Sequence, residues 1–109
     1  MSKDSDDIED SDDGPEVLDR LFEVIESRRD ANPKDSRTAK LFQKGITKVA
    51  QKVGEEVTET VVAALAESDQ RLISESADLI YHLLVLLAIR GVRPEAVYAE
   101  LGARARGTR

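Results

Sequence analysis

Asp69-Gln-Arg-Leu-Ile-Ser-Glu-Ser-Ala-Asp-Leu-Ile-Tyr-His-Leu-Leu-Val-Leu-Leu-Ala-Ile-Arg90 decides the fold. Ser68-Asp69 is a helix N-cap signal and Gly91 a stop, so the stretch between them reads as one helix. Its second half, Leu79 to Ile89, is apolar nearly all round, and a helix with no polar face is one buried on every side. Leu79, Leu83 and Leu86 point one way and Ile80, Leu84 and Leu87 another, so two surfaces need cover. One can face a neighbouring helix of the same chain. A chain with only about four helices can hardly surround one of them, so the other surface predicts a second subunit and a homodimer.

The neighbour lies just upstream. From Ile46 to about Ala66, residues Ile46, Val49, Ala50, Val53, Val57, Val61 and Ala64 fall within an arc of roughly 120° at 100° per residue, which predicts a long amphipathic helix. Thr38 to Lys44 reads as a short helix closed or bent at Gly45. Gly14-Pro15 opens a first helix carrying Val17, Leu18, Leu21, Phe22 and Ile25, and Asn32-Pro33 ends it, because the residue before proline avoids helical geometry. A last helix begins near Pro94, turns Val97 and Leu101 inward, and frays beyond Gly102. Alternation never persists long enough for a strand. The expected fold is all-α, a bundle of about four to five helices completed by dimerisation.

Charge divides the chain. Its 109 residues contain 22 acidic and 16 basic side chains, a formal net charge of −6. Residues 1–14 hold seven of the acids and one lysine, which leaves 15 of each sign in the remainder. The acidic Ser/Asp run cannot bury apolar surface and is expected to be a disordered, solvating tail, unlike a basic targeting segment. Residues 15–103 then form the single domain and 104–109 a frayed end. The absence of cysteine excludes disulfides, thiolate zinc sites and a cysteine nucleophile, and fits a reducing cytoplasm. The apolar run Leu83–Ile89 is far short of the roughly 20 residues of a membrane span. Neither a basic-aromatic surface for nucleic acid nor a phosphate-cradling glycine loop is present.

The chemistry sits in two short patterns, Glu55-Glu56-Val-Thr-Glu59 and Glu75-Ser-Ala-Asp78. Each places carboxylates at i and i+3 on one side of a turn, where like charges repel. A divalent cation between the two helices removes the repulsion, and hard oxygen donors suit Mg²⁺ or Mn²⁺. Glu56 borders the apolar stripe of its helix, and Glu75 and Asp78 directly precede the apolar segment, so these charges are partly buried and need compensation. Lys40, Lys44, Lys48 and Lys52 recur every four residues and lead toward Glu56, as a run of like charge that a polyphosphate would neutralise. Ordinary Lys–Glu helix pairs are the plain alternative, at only about 0.2–0.5 kcal/mol each. His82, the single histidine, reads as a packed core residue rather than a ligand.

The carboxylate patterns resemble those of the all-α nucleoside triphosphate pyrophosphohydrolases of the MazG type. More narrowly, Thr38-Ala-Lys-Leu-Phe-Gln-Lys-Gly45, Lys52-Val-Gly-Glu-Glu56 and Ala77-Asp-Leu-Ile-Tyr-His-Leu-Leu84 resemble the phosphoribosyl-ATP pyrophosphohydrolase family of histidine biosynthesis, over about residues 16–102. The resemblance implies Mg²⁺-dependent hydrolysis of phosphoribosyl-ATP to phosphoribosyl-AMP and pyrophosphate by a homodimer. It assigns metal binding to Glu56, Glu59, Glu75 and Asp78, and leaves open whether Glu55 binds metal or orients water. Glu55 and Glu56 are the candidate catalytic carboxylates, and the four lysines the candidate phosphate binders. Many relatives carry a fused cyclohydrolase with cysteine ligands; no such domain is expected here. Rival readings are a housekeeping pyrophosphohydrolase using the same carboxylates, a di-iron bundle lacking its two Glu-x-x-His motifs, and a non-catalytic helical module.

Overall fold

A computed structural model describes residues 13–107, and in them the chain forms five helices and no strand. These are α1 (Val17–Ser27), α2 (Arg37–Lys44), α3 (Ile46–Ala66), α4 (Asp69–Arg90) and α5 (Pro94–Ala105). The expectation for the acidic segment falls almost wholly outside the described residues.

The centre of the molecule is the pair α3 and α4. Only Glu67 and Ser68 separate them, so the chain turns back on itself, and Thr60 Oγ1 reaches across to the Glu75 carbonyl at 3.3 Å. Ser68 caps α4 by accepting from the Arg71 amide at 3.1 Å, as its sequence signal predicts. Gly91, at φ 74°, closes α4: its own amide reaches the Ala88 carbonyl and the Val92 amide reaches that of Leu87. α1 packs on α4 through Phe22 and Ile25, which join Leu41, Val49, Leu84, Val85 and Ala88 in the buried core. Each large apolar side chain buried there contributes roughly 1.5–3 kcal/mol. α2 rests on both α3 and α4.

Several expectations shift. α1 ends at Ser27, ahead of Asn32-Pro33, because its inward series runs out at Ile25 and Arg28 leaves helical geometry at φ −96°, ψ 1°. The buried line of α3 is Val49, Glu56 and Ala63, while Ile46, Val57 and Val61 of the expected stripe are exposed. α4 approaches α3 over the Glu56 side, so the interior line is rotated away from the hydrophobic arc. In α4 the surfaces regroup as well: His82, Leu84, Val85 and Ala88 are buried, whereas Ile80 and Leu83 share exposure at 42% each. The expected pairing of Ile80 with Leu84 therefore fails. α5 continues past Gly102 to Ala105, and Val97 and Leu101 lie exposed rather than inward. Its attachment comes instead from buried Pro94 and from Tyr98, whose hydroxyl donates to Asp19 of α1 at 2.9 Å. By length and composition α4 alone among the described helices is apolar enough to cross a membrane. Its interior positions nevertheless include Glu75 and His82, and they face other helices of this chain.

Candidate metal centre

Where α3 and α4 meet, Glu56, Glu75 and Asp78 each direct a carboxylate oxygen into one small region, within 4.8 Å of one another. The local sequence explains the convergence. Glu56 occupies the middle of the buried line of α3, and Glu75 and Asp78 are one turn apart on the facing side of α4. Thr60 fastens the crossing, with its hydroxyl 2.7 Å from the Glu56 carbonyl and 3.3 Å from that of Glu75.

These carboxylates are poorly compensated by the protein itself. Glu56 and Glu75 are only 8% and 6% exposed, and Oε1 of each is buried without a hydrogen-bond partner among the described residues. Arg71, one turn before Glu75, donates to its Oε2 at 2.7 Å, but from a largely exposed position. Burial foremost, and then the neighbouring Glu59 carboxyl within hydrogen-bonding reach, push the Glu75 carboxyl above the usual carboxylate range; Arg71 pulls the other way and does not cancel them. Buried, converging carboxylates with bare oxygens need either shared protons or a cation. The donor set is all oxygen, and it fits Mg²⁺ or another hard divalent ion.

The remaining candidates fall into place around this group. Glu59 is exposed, at the open side of the cluster beside Glu75. Glu55 is exposed and accepts from Gln51 Nε2 at 3.1 Å, so its carboxylate is engaged outside the cluster. Gly45, at φ 92° and ψ 174°, interrupts the helix between α2 and α3. The four-residue spacing of the lysines consequently does not continue as a single row: Lys40 and Lys44 belong to α2, Lys48 and Lys52 to α3. None of the four forms an ion pair with an acidic side chain among the described residues, and Lys52 is half-buried. Lys40 also lines a surface cavity of about 340 Å³ with Asn32, Pro33, Lys34 and Gln43, to which no carboxylate of the cluster contributes. His82 is fully buried, with Nδ1 2.8 Å from the Asp78 carbonyl. A carbonyl only accepts, so Nδ1 donates, while Nε2 has no hydrogen-bond partner among the described residues. Sequence reasoning missed Arg71, although its i, i+4 spacing to Glu75 was a usable signal. It also missed the Thr38 hydroxyl, 2.6 Å from that of Tyr81, for which only the fold provides a signal.

A family model described as phosphoribosyl-ATP pyrophosphohydrolase matches residues 18–105, and with them all five helices nearly end to end. The chain belongs to the phosphoribosyl-ATP pyrophosphohydrolase family. Among curated relatives of this family, the phosphoribosyl-ATP pyrophosphatase of Saccharolobus islandicus strain L.S.2.15 is 54% identical over 89 residues, covering 82% of this chain and 95% of that protein. The phosphoribosyl-ATP pyrophosphatase of Rhodospirillum rubrum is 54% identical over 91 residues, covering 84% of this chain and 78% of the relative. This chain's acidic cluster falls inside the matched region.

Proposed function

We propose that the protein hydrolyses phosphoribosyl-ATP to phosphoribosyl-AMP and pyrophosphate, the second step of histidine biosynthesis, at the Glu56–Glu75–Asp78 cluster. The observation that carries the reading is the pair of buried, partnerless carboxylate oxygens at the crossing of α3 and α4, in a chain of this family. Water adds across the anhydride between the α- and β-phosphates, pyrophosphate departs, and a proton is released. Mg²⁺ held by Glu56, Glu75 and Asp78, with Glu59 completing the set on the open side, would activate water and offset phosphate charge; Mn²⁺ suits the same donors. In this reading a carboxylate of the cluster, Glu56 or Glu59, takes up the released proton, and Glu55, which accepts from Gln51, does not. Lys48 and Lys52, on the helix that carries Glu56 and without acidic ion-pair partners among the described residues, are assigned to the leaving phosphates, and Lys40 and Lys44 act from α2. No side chain acts as a covalent nucleophile.

The active species is a homodimer in the cytoplasm. Supporting this are the apolar side chains left exposed on both central helices: Val57, Val61 and Leu65 at four-residue spacing on α3, and Ile73, Ile80 and Leu83 on α4. Leu65 and Ile73 are 82% and 61% exposed, a costly arrangement for a lone chain in water. A kinetic comparison of phosphoribosyl-ATP with ordinary nucleoside triphosphates tests the substrate assignment. A kcat/KM at least about 100-fold higher for phosphoribosyl-ATP is expected, because a site built around an additional phosphoribosyl group loses several contacts without it. Equal values would make the protein a general nucleoside triphosphate pyrophosphohydrolase.

A further inference from the structure

Arg37 is the first residue of α2, and it stands in an odd electrostatic position. A cation in the first turn of a helix opposes the helix dipole, and α2 has no acidic residue there to compensate it. Nor does any acidic side chain among the described residues pair with Arg37. Its guanidinium is held in place by an aromatic face instead, with Cζ 5.2 Å from the centroid of the Tyr81 ring.

That ring is itself fixed on the helix that carries Glu75 and Asp78. The Tyr81 hydroxyl is 2.6 Å from Thr38 Oγ1, and the ring meets His82 edge-on, with centroids 5.0 Å apart and planes at 77°. His82 in turn donates to the carbonyl of Asp78. Tyr81 follows Asp78 by three residues, one turn along the same helix. On the α2 side, Ser36 accepts from the Ala39 amide at 3.0 Å and so fixes the turn that carries Arg37. A planar cation is thus prealigned on a ring that stands one helical turn from Asp78, with its N–H edge uncommitted to any carboxylate among the described residues. Stacking of this kind preserves the guanidinium fork that matches phosphate oxygens.

We propose that Arg37 is a substrate-binding residue that takes a phosphate of the bound substrate, with Tyr81 as its positioning residue. The inference rests on the function proposed above and adds a residue to it. Phosphate chemistry enters from two parts of phosphoribosyl-ATP, the pyrophosphate end that leaves and the 5-phosphate on the ribosyl group, and the test separates them.

The test uses the full chain with Mg²⁺, as wild type, Arg37→Ala, Arg37→Lys and Tyr81→Leu. Turnover of phosphoribosyl-ATP gives kcat and KM, and calorimetric titration with pyrophosphate and with ribose 5-phosphate gives direct affinities. Arg37→Ala should raise KM about 10- to 100-fold, the range for loss of a charge-assisted hydrogen bond, while kcat stays within a few-fold. Arg37→Lys should recover only part of the loss, since it keeps the charge and lacks the fork. Tyr81→Leu should move KM in the same direction by less. Weakened pyrophosphate binding places Arg37 at the leaving end, and weakened ribose 5-phosphate binding places it at the ribosyl end. Unchanged KM and unchanged affinity for both anions in Arg37→Ala, or in Arg37→Lys should the alanine variant not fold, overturn the proposal. A wild-type protein that binds these anions through Arg37 yet leaves phosphoribosyl-ATP intact would overturn the function and not the anion site.

Discussion

At Glu56, Glu75 and Asp78 the proposed chemistry rests on three converging carboxylates, each of which a single substitution can neutralise. Glu56→Gln and Asp78→Asn are nearly isosteric and each removes one charge from the cluster, so both should abolish nearly all turnover while circular dichroism and melting behaviour remain close to wild type. Wild-type turnover in both variants at saturating Mg²⁺ would remove the cluster from the chemistry. Glu75 supplies a second prediction, from its raised pKa. Between the ordinary value of 4.5 and its higher folded value, the folded protein binds more protons than the unfolded chain. The stability linked to Glu75 is therefore present at low pH and lost as pH rises through that window. Metal-free wild type should lose melting temperature relative to Glu75→Gln from the carboxylate range toward neutrality, and Mg²⁺ should cancel the loss by replacing the proton. A constant difference between the two proteins across that range would contradict this. Glu56, Glu75 and Asp78 were legible in the sequence because i, i+3 carboxylates at the edge of an apolar stripe have few other uses. Arg37 was not, since nothing local foretells that a residue on a short upstream helix will stack on Tyr81.

At the scale of the elements, the helix signals were largely local and so largely readable. Ser68, Gly91 and Pro94 mark ends that the structure places where capping chemistry puts them. What periodicity could not reveal was which side of α3 its partner covers, because burial there follows Glu56 and Val49 rather than the run of valines. The lysine spacing misled for a related reason: a four-residue repeat means one face only while the helix is unbroken, and Gly45 breaks it. That break makes a test. At φ 92°, ψ 174° Gly45 has a conformation that L-residues avoid, and an added Cβ would meet no atom within 4 Å. Gly45→Ala should accordingly cost about 1–3 kcal/mol through backbone strain alone. Gly54 has the same open surroundings inside α3, so Gly54→Ala should stabilise by about 0.5–1 kcal/mol. Denaturant midpoints report both, and equal effects of the same sign would contradict the assigned break.

For the molecule as a whole, the apolar character of α4 foretold incomplete cover, and the exposed Ile73, Ile80 and Leu83 identify the side concerned. The chain mass is 12.0 kDa, and light scattering after size exclusion should give twice that value at micromolar concentration. Ile80→Glu should shift the protein toward the single-chain mass, since a charge there would be desolvated in an interface and harmless on a free surface. An active 12.0 kDa species in the wild type would contradict the dimer. The acidic N-terminal segment adds charge and almost no apolar surface, and it is assigned no part in assembly. The central claim, that the crossing of α3 and α4 is a cation-dependent site for cleaving phosphoribosyl-ATP, is tested most directly by following that substrate with phosphorus NMR. With Mg²⁺, its three anhydride-phosphate signals should give way to those of free pyrophosphate and a monophosphate ester, and a chelator should stop the conversion. Release of inorganic phosphate with a diphosphate left behind, or an unaltered spectrum with Mg²⁺ present, would contradict the account.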